Sequence, residues 1–257
     1  MGRWTAFKPR GHFNFDAKSV KRQWAKLHAA DCEPLPDDTD LLEAWAHFHN
    51  GHFEEACLLG LALGDEGVTV ANKAACVYAS QLEPRAVQRL TLYQSVSERA
   101  ANHLQRQPNN PNTHYLLAAS LSGYSQGISV TQALAQGIGG RIKAALETTI
   151  ALQPQHADAH FALGAFHADI IDKVGMLIAN MTLGARRDAS LEMFERGFAL
   201  YPRSAFGLTE YATALQVLEG ESHAAQCAAL LKEAAALKPL DAQHYLEIAS
   251  AKNNRGS

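Results

Sequence analysis

A helix–proline–helix pattern recurs four times in this chain of 257 residues, and it constrains the fold more than any other feature. In each copy an apolar segment with helical spacing ends before a proline, and a second helical segment follows it. The four prolines are Pro108, Pro154, Pro202 and Pro239. The segments after them align as "NTHYLLAASL", "DAHFALGAFH", "FGLTEYATAL" and "QHYLEIASA". Helix pairs repeated in this way bury their apolar faces by stacking on one another, so the pattern predicts an all-α solenoid.

The aligned helices share a column of small residues, where two helices can approach closely. The column consists of Ala118, Gly164, Ala212 and Ala249. The best copy of the repeat reads His160-x2-Leu163-Gly164-x2-His167, then Ser190-x3-Phe194, then Pro202. This spacing resembles the tetratricopeptide repeat. The resemblance implies a right-handed superhelix of antiparallel helix pairs, a scaffold that binds a protein or peptide on its concave face and performs no chemistry.

A second, shorter resemblance covers less than half of the chain. From about Gly137 to the end, the chain is similar to the helical region of the regulator of microtubule dynamics family and to bacterial proteins of that type. The similarity rests on the insertion after "HFALGAFHADI" and on the following "ASLEMFERGFALYP". It includes no catalytic motif, and it implies a helical interaction module.

The pattern divides the chain into three parts. We expect residues 1–40 to form a basic segment with a capping helix and an acidic linker, residues 41–252 to form one solenoid, and residues 253–257 to form a flexible tail. The expected repeats span about 41–64, 68–108, 111–154, 157–202 and 205–239, and a last capping helix spans 241–251. An apolar stripe that includes Val20 and Trp24 suits the first capping helix to cover one end of the stack.

Two long insertions separate the first and second helices of two repeats. The proline spacings of 46, 48 and 37 residues exceed a tetratricopeptide repeat of about 34 residues. The extra residues fall at 122–140 and 168–188. Insertions at equivalent turns emerge on the same edge of a solenoid, so we expect them to lie side by side. The apolar residues of the second insertion predict a lengthened or extra helix docked on its neighbours. The alternative is an exposed apolar flap that binds a partner or a membrane surface.

The tetratricopeptide resemblance assigns the concave groove to positions between the packing positions. The groove residues that it implies here are Asn112, Tyr115, Ala119, Asp158, Phe161, Ala165, Phe206, Thr209 and Thr213. The set is mainly aromatic and small, and it lacks the Lys and Arg residues that would clamp the carboxylate of a peptide C-terminus. An apolar or aromatic ligand is therefore favoured over such a tail.

Histidines in the best repeat raise the alternative of a metal-dependent enzyme. His156, His160 and Asp169 lie close in sequence, but a metal site needs three or four convergent ligands. His160 and His167 occupy packing positions of the repeat, which favours a core role, whereas His156 lies in a turn and could join a surface site. No HExxH or GxSxG pattern is present. We therefore expect no catalytic residue, no metal and no cofactor.

Charge is segregated at the start of the chain. Seven Lys or Arg and one acid precede residue 27, and six acids without a base lie between Asp31 and Glu43. The net charge of −3 does not favour nucleic acid as a partner. The basic residues Lys18, Lys21 and Arg22 leave a membrane-surface adaptor as a second alternative. Four cysteines without CxxC pairing favour reduced thiols and a cytoplasmic location.

Overall fold

The computed structural model describes residues 4–7 and 13–254. Within these residues the chain forms α-helices and short 3₁₀ turns, without β-strands, which confirms the predicted all-α fold. The helices are α1 (Ala17–Leu27), α2 (Thr39–Asn50), α3 (Phe53–Ala62), α4 (Val68–Gln81), α5 (Ala86–Arg106), α6 (Pro111–Ser125), α7 (Val130–Ala135), α8 (Ile138–Leu152), α9 (Ala157–Val174), α10 (Met176–Leu183), α11 (Arg187–Leu200), α12 (Ala205–Glu219), α13 (Ala224–Ala236) and α14 (Ala242–Asn254). Of the tail predicted at 253–257, the first two residues continue α14 and the rest lie outside the described residues.

Antiparallel helix pairs form the solenoid. The pairs are α2 with α3, α4 with α5, α6 with α8, α9 with α11, and α12 with α13, and α14 packs after them. The short helices α7 and α10 belong to the two insertions. The first helices of successive pairs also touch, since α4 contacts α2 and α6, and α12 contacts α9 and α14. These first helices line the inside of the curve.

The recurring prolines set where the first helix of a repeat begins. Each proline is followed two residues later by an N-cap whose side chain accepts a hydrogen bond from the backbone N–H three residues further on. The four N-caps are Asn110, His156, Ser204 and Asp241. His156 is therefore a fully buried helix cap. Its position in a turn had suggested a residue that could join a surface site, and the structure does not place it at the surface.

Imidazoles fill the aromatic slot of the repeat, as predicted for His160. The Nε2 atoms of His114 and His160 lie 2.8 and 3.1 Å from the carbonyl oxygens of Pro108 and Pro154, six residues earlier in each case. Each ring thus ties its helix to the preceding turn, and His160 is buried whereas His114 is half-buried. His167 is also buried, and its Nδ1 lies 3.4 Å from the backbone nitrogen of Arg186. A core role accounts for the buried rings of His160 and His167.

The two ends of the solenoid meet. Helix α14 packs against α2, and its Ala242 and Leu246 join the apolar core of the first repeats. His49 Nδ1 on α2 lies 2.6 Å from Asp241 Oδ2, and both side chains are buried. The ring of Phe7 packs edge-on against Tyr245, with centroids 5.6 Å apart. The last helix, expected to cap a free end, therefore closes the superhelix into a ring.

Candidate functional site

The interior of the ring is occupied by the chain's own residues 28–34, here called the axial segment. These residues connect α1 to the loop before α2. The backbone N–H of Asp158 donates to the carbonyl of Ala30 at 3.2 Å. The amide Nδ2 of Asn112 donates to the carbonyl of Asp31 at 3.1 Å and to Glu33 Oε2 at 2.6 Å. Helices α6 and α9 thus bind the axial segment through its backbone carbonyls and through the side chain of Glu33.

A buried ion pair anchors the axial segment to α4. Lys73 Nζ donates to Asp31 Oδ2, and His28 Nδ1 lies 3.0 Å from Asp31 Oδ1. Burial disfavours ionisation of Asp31, but the attraction of Lys73 and His28 outweighs it and holds the pKa of Asp31 well below its usual range. Burial lowers the pKa of His28 to about 4 and so keeps this ring neutral at pH 7. The ring of His28 stacks on Trp24, with centroids 4.0 Å apart.

A strained residue lies in the middle of the axial segment. Cys32 has φ of 52° and is the one non-glycine residue with positive φ in the described part of the chain. The left-handed region costs an ordinary L-residue about 1–2 kcal/mol. Its Sγ donates to the carbonyl of Gln155 at 3.3 Å, at the turn before α9. The contacts on both sides of Cys32 therefore impose a conformation that the free segment would avoid.

A small cavity of about 50 Å³ remains between the axial segment and the helices α9, α12 and α14. Polar groups dominate its wall, and they include Asp31, Lys73, Asp158, Asp241, His244 and Glu247. Burial, with the charge of Asp31, raises the pKa of Asp158 to about 7 although Lys73 opposes the shift. Burial, with the charge of Asp158, raises the pKa of Glu247 to about 8. These two carboxyls therefore hold protons close to neutral pH.

The axial segment covers part of the groove that the tetratricopeptide resemblance implied. Asn112 and Asp158 bind the segment directly, and the half-buried ring of Tyr115 packs against His156, with centroids 4.8 Å apart. Thr209 and Thr213 donate their hydroxyls to carbonyls of their own helix, those of Ala205 and Thr209. The remaining implied groove residues Ala119, Ala165 and Phe206 are half-buried.

Phe161 does not face the groove. Its side chain is fully buried, and its ring lies 4.8 Å from that of Phe198, centroid to centroid. A Cβ atom built on Gly197 or Gly207 would come within 2.5 or 2.7 Å of the ring. The ring therefore fills the contact between α9, α11 and α12, and it is unavailable to a partner.

The residues of the metal hypothesis do not converge. His156 Nε2 lies 2.9 Å from Asn112 Oδ1, His160 bonds a backbone carbonyl, and Asp169 pairs with Lys173 on the same helix. Burial lowers the pKa of His156 to about 4. In the part of the chain that the structure describes, no group of three His, Cys, Asp or Glu side chains is placed to hold a metal ion.

The two insertions also carry exposed apolar side chains on α7 and α10, a set here called the insertion edge. Both helices contact α8. Ala179 is buried and Leu183 packs over Gly139, which docks α10 on its neighbours. The insertion edge consists of Val130, Leu134, Met176, Leu177, Ile178 and Met181. The four residues from α10 are each 53–77 % exposed.

The axial segment gave no recognisable signal in the sequence. Residues 28–34 read as the start of an acidic linker, and acidic linkers are ordinarily solvated. The burial of Asp31 depends on Lys73 and Asn112, which lie 42 and 81 residues away in the sequence. Because these partners are so distant in the sequence, the buried position of Asp31 becomes evident only in the assembled tertiary structure.

Comparisons with known proteins support the fold. No protein-family model matches this sequence, and no curated protein is significantly similar to it. A solved structure of a thermophilic TPR protein from Thermus thermophilus superimposes with a TM-score of 0.57 at 14 % identity, over 83 % of this chain and 97 % of that protein. A likeness at this identity concerns the fold alone. The chain described here is a solenoid of the tetratricopeptide type, closed on itself around its own axial segment.

Proposed function

We propose that this protein is a non-catalytic protein-interaction scaffold that binds its partner through the insertion edge. The observation that carries the proposal is the exposure of Met176, Leu177, Ile178 and Met181 on one short helix. Large apolar patches on a soluble protein ordinarily mark a surface that is covered by a partner. The tetratricopeptide fold, which generally serves to present binding surfaces, supports the same class of function.

The chemistry of the edge favours the apolar face of a protein helix as the occupant. Helix α10 projects side chains from two turns, and an amphipathic helix offers a matching apolar stripe. The charges beside the edge are mixed: Lys173 pairs with Asp169, and Arg186 pairs with Asp188. A surface for anionic lipids would instead need an excess of unpaired cations.

The concave face is the second surface that a scaffold of this class offers. In this structure the axial segment binds Asn112 and Asp158, so a peptide would have to displace it. Displacement would also break the buried pair of Asp31 and Lys73. The insertion edge is accessible without such a cost, which is why we place the first contact there.

A membrane-surface adaptor is the competing class. The exposed residues Lys18, Lys21 and Arg22 on α1 supply cations for it. In the described residues, no helix is both long and apolar enough to cross a bilayer. The cytoplasmic location expected from the cysteines stays a prediction, as does the absence of a cofactor.

A capture experiment with matched variants tests the proposal. The edge variant Leu177→Gln/Met181→Gln is compared with Leu58→Gln/Leu61→Gln, which alters exposed leucines of α3. Proteins that copurify with the natural chain are quantified and then produced pure for a direct binding measurement. We expect the edge variant to weaken binding of the purified partner at least tenfold and the α3 variant to leave it unchanged. Equal binding by both variants would contradict the proposal, as would binding to anionic vesicles that Lys21→Glu/Arg22→Glu abolishes while no protein partner is retained.

A further inference from the structure

We propose that the cavity inside the ring is a binding site for the ammonium group of a primary amine, with the carboxylate of Asp158 as its main acceptor. The amine could belong to a small molecule or to a lysine side chain of another protein, and the recognition chemistry is the same. The site lies inside the ring, so this inference is independent of the insertion edge.

The Asp158 side chain is buried, and it faces the cavity without a hydrogen-bond donor from the described part of the protein. It is 8 % exposed, lines the cavity, and accepts no hydrogen bond from any residue that the structure describes. A buried polar group without a partner costs free energy, so native proteins pair nearly all of them with protein, water or ligand. A carboxylate that no described protein group pairs and that faces a small cavity therefore points to a hydrogen-bond donor in that cavity.

The other acids around the cavity already have donors. Asp31 accepts from Lys73, and Asp241 is held by His49 and by the backbone N–H of His244. Glu247 accepts from the amide of Gln243 at 2.7 Å. Asp158 thus differs from the other acids of the wall, since it is the one that accepts no hydrogen bond from a described residue.

The wall of the cavity carries more acidic than basic groups, which favours a cation as the ligand. Among the residues that the structure describes, Lys73 is the one Lys or Arg that lines the cavity, against four carboxyl groups. Burial lowers the pKa of His244, so this neighbouring ring does not supply the missing charge near neutral pH. Tyr201, which also lines the cavity, has a raised pKa through burial and adjacent acids, and it remains a neutral phenol. A bound monocation would offset the excess negative charge of the wall, which protonation of Asp158 and Glu247 otherwise offsets.

Size and donor count favour an ammonium group. A volume of about 50 Å³ admits a group that is a few water molecules in size. An ammonium has three N–H donors and no acceptor, which suits the carboxylates of Asp158 and Glu247 in the wall. Tyr201, Gln243 and Glu247 are each half-buried, so the cavity reaches the surface between α12 and α14 and a methylene stem could enter there.

Binding should depend on pH with a defined sign. The pKa of Asp158 is raised to about 7 and that of Glu247 to about 8, so both carboxyls are mostly protonated at pH 5.5 and mostly or half ionised at pH 8. Protonated carboxyls do not attract an ammonium ion. Asp31, Lys73 and Asp241 face the same space and keep their charge state between these two pH values, and the lowered pKa of His244 leaves its ring neutral at pH 8. We therefore expect amine binding at pH 8 and little at pH 5.5.

Thermal unfolding of the full chain tests the inference. Ethylammonium chloride is compared with tetramethylammonium chloride at equal ionic strength, because the second cation carries the same charge without N–H donors. At pH 8 we expect ethylammonium, at several times its Kd, to raise Tm by about 3 °C, and tetramethylammonium to leave it unchanged. The Tm of the Asp158→Asn/Glu247→Gln variant should not respond to ethylammonium.

The same assay separates the two sources of the amine and names the results that overturn the inference. An Nα-acetyl-lysine amide that stabilises the protein as well as ethylammonium indicates a lysine side chain, whereas stabilisation by ethylammonium alone indicates a small amine. No rise in Tm with either amine at pH 8 would refute the site. Equal shifts with tetramethylammonium, or a larger shift at pH 5.5, would refute it as well. These readings need only the natural protein, so they hold even if the double variant does not fold.

Discussion

Replacement of Phe161 by Ala should destabilise the protein strongly, because the ring fills a closed contact. The side chain is 0 % exposed, and the backbone of Gly197 and Gly207 lies directly against it. Removal of a fully buried Phe typically costs about 3–5 kcal/mol. Backbone glycines on two separate helices cannot move in to fill the space, so we expect about 4 kcal/mol. For a chain of this size that corresponds to a fall in Tm of roughly 10 °C.

Urea unfolding followed by circular dichroism measures this cost. The control is Leu177→Ala, which removes an exposed side chain of α10 and should change the free energy of unfolding by less than about 0.5 kcal/mol. A residue that faced a peptide groove, as the tetratricopeptide resemblance implied for Phe161, would behave like this control. A loss below about 1 kcal/mol for Phe161→Ala would refute the structural placement of the ring.

A second substitution tests the same contact from the other side. Gly197→Ala places a methyl group where the ring of Phe161 lies, so it should destabilise the natural protein by about 1–2 kcal/mol. In the Phe161→Ala background the same methyl enters the vacated space and should be neutral or stabilising. Additive effects in this double-mutant cycle would show that the two residues are not in contact.

Three further outcomes concern the ring closure, the axial segment and the insertion. Asp241→Ala removes both the cap of α14 and the partner of His49, and it should lower the free energy of unfolding in urea by about 2–4 kcal/mol; an unchanged midpoint would contradict the closure. Lys73→Met leaves Asp31 buried without its cation and should cost about 3–5 kcal/mol at pH 7. That deficit should shrink as the pH falls and the unpaired carboxyl takes a proton, and a deficit that grew on acidification would refute the pairing. Gly140→Ala adds a methyl group to open space on α8 and should raise stability by about 0.5–1 kcal/mol in the same assay, whereas a loss would indicate a contact that the structure does not show.

Local chemistry determined the helical units. The spacing of apolar residues predicted helices on both sides of each proline, because burial of one face follows from a period of 3.6 residues whatever lies opposite. The small residue at Gly164 and the ring of His160 were assigned packing roles, and the structure places a Phe194 carbon 2.9 Å from a Cβ built on Gly164. Such signals lie within one repeat, so a single copy carries them.

The sequence did not distinguish groove positions from core positions on the same helix. Asp158 and Phe161 are three residues apart on the same helix, where side chains share a face. The structure nevertheless turns Asp158 toward the cavity and buries Phe161 against α11 and α12. The division depends on how far neighbouring pairs rotate and on the two glycines that meet the ring. Helical periodicity identifies a buried stripe, but it does not distinguish the neighbours on either side of that stripe.

Tertiary structure alone decided that the superhelix closes and that its interior is occupied. Closure joins His49 to Asp241, which are 192 residues apart, and occupancy joins Asp31 to Asn112, 81 residues apart. Each depends on small rotations that accumulate from repeat to repeat, and no single repeat carries their sum. The sequence by itself determined the repeated helix pairs and the two insertions. The curvature of the assembled stack decided which polar residues are shut inside the ring and which apolar residues remain on its edge.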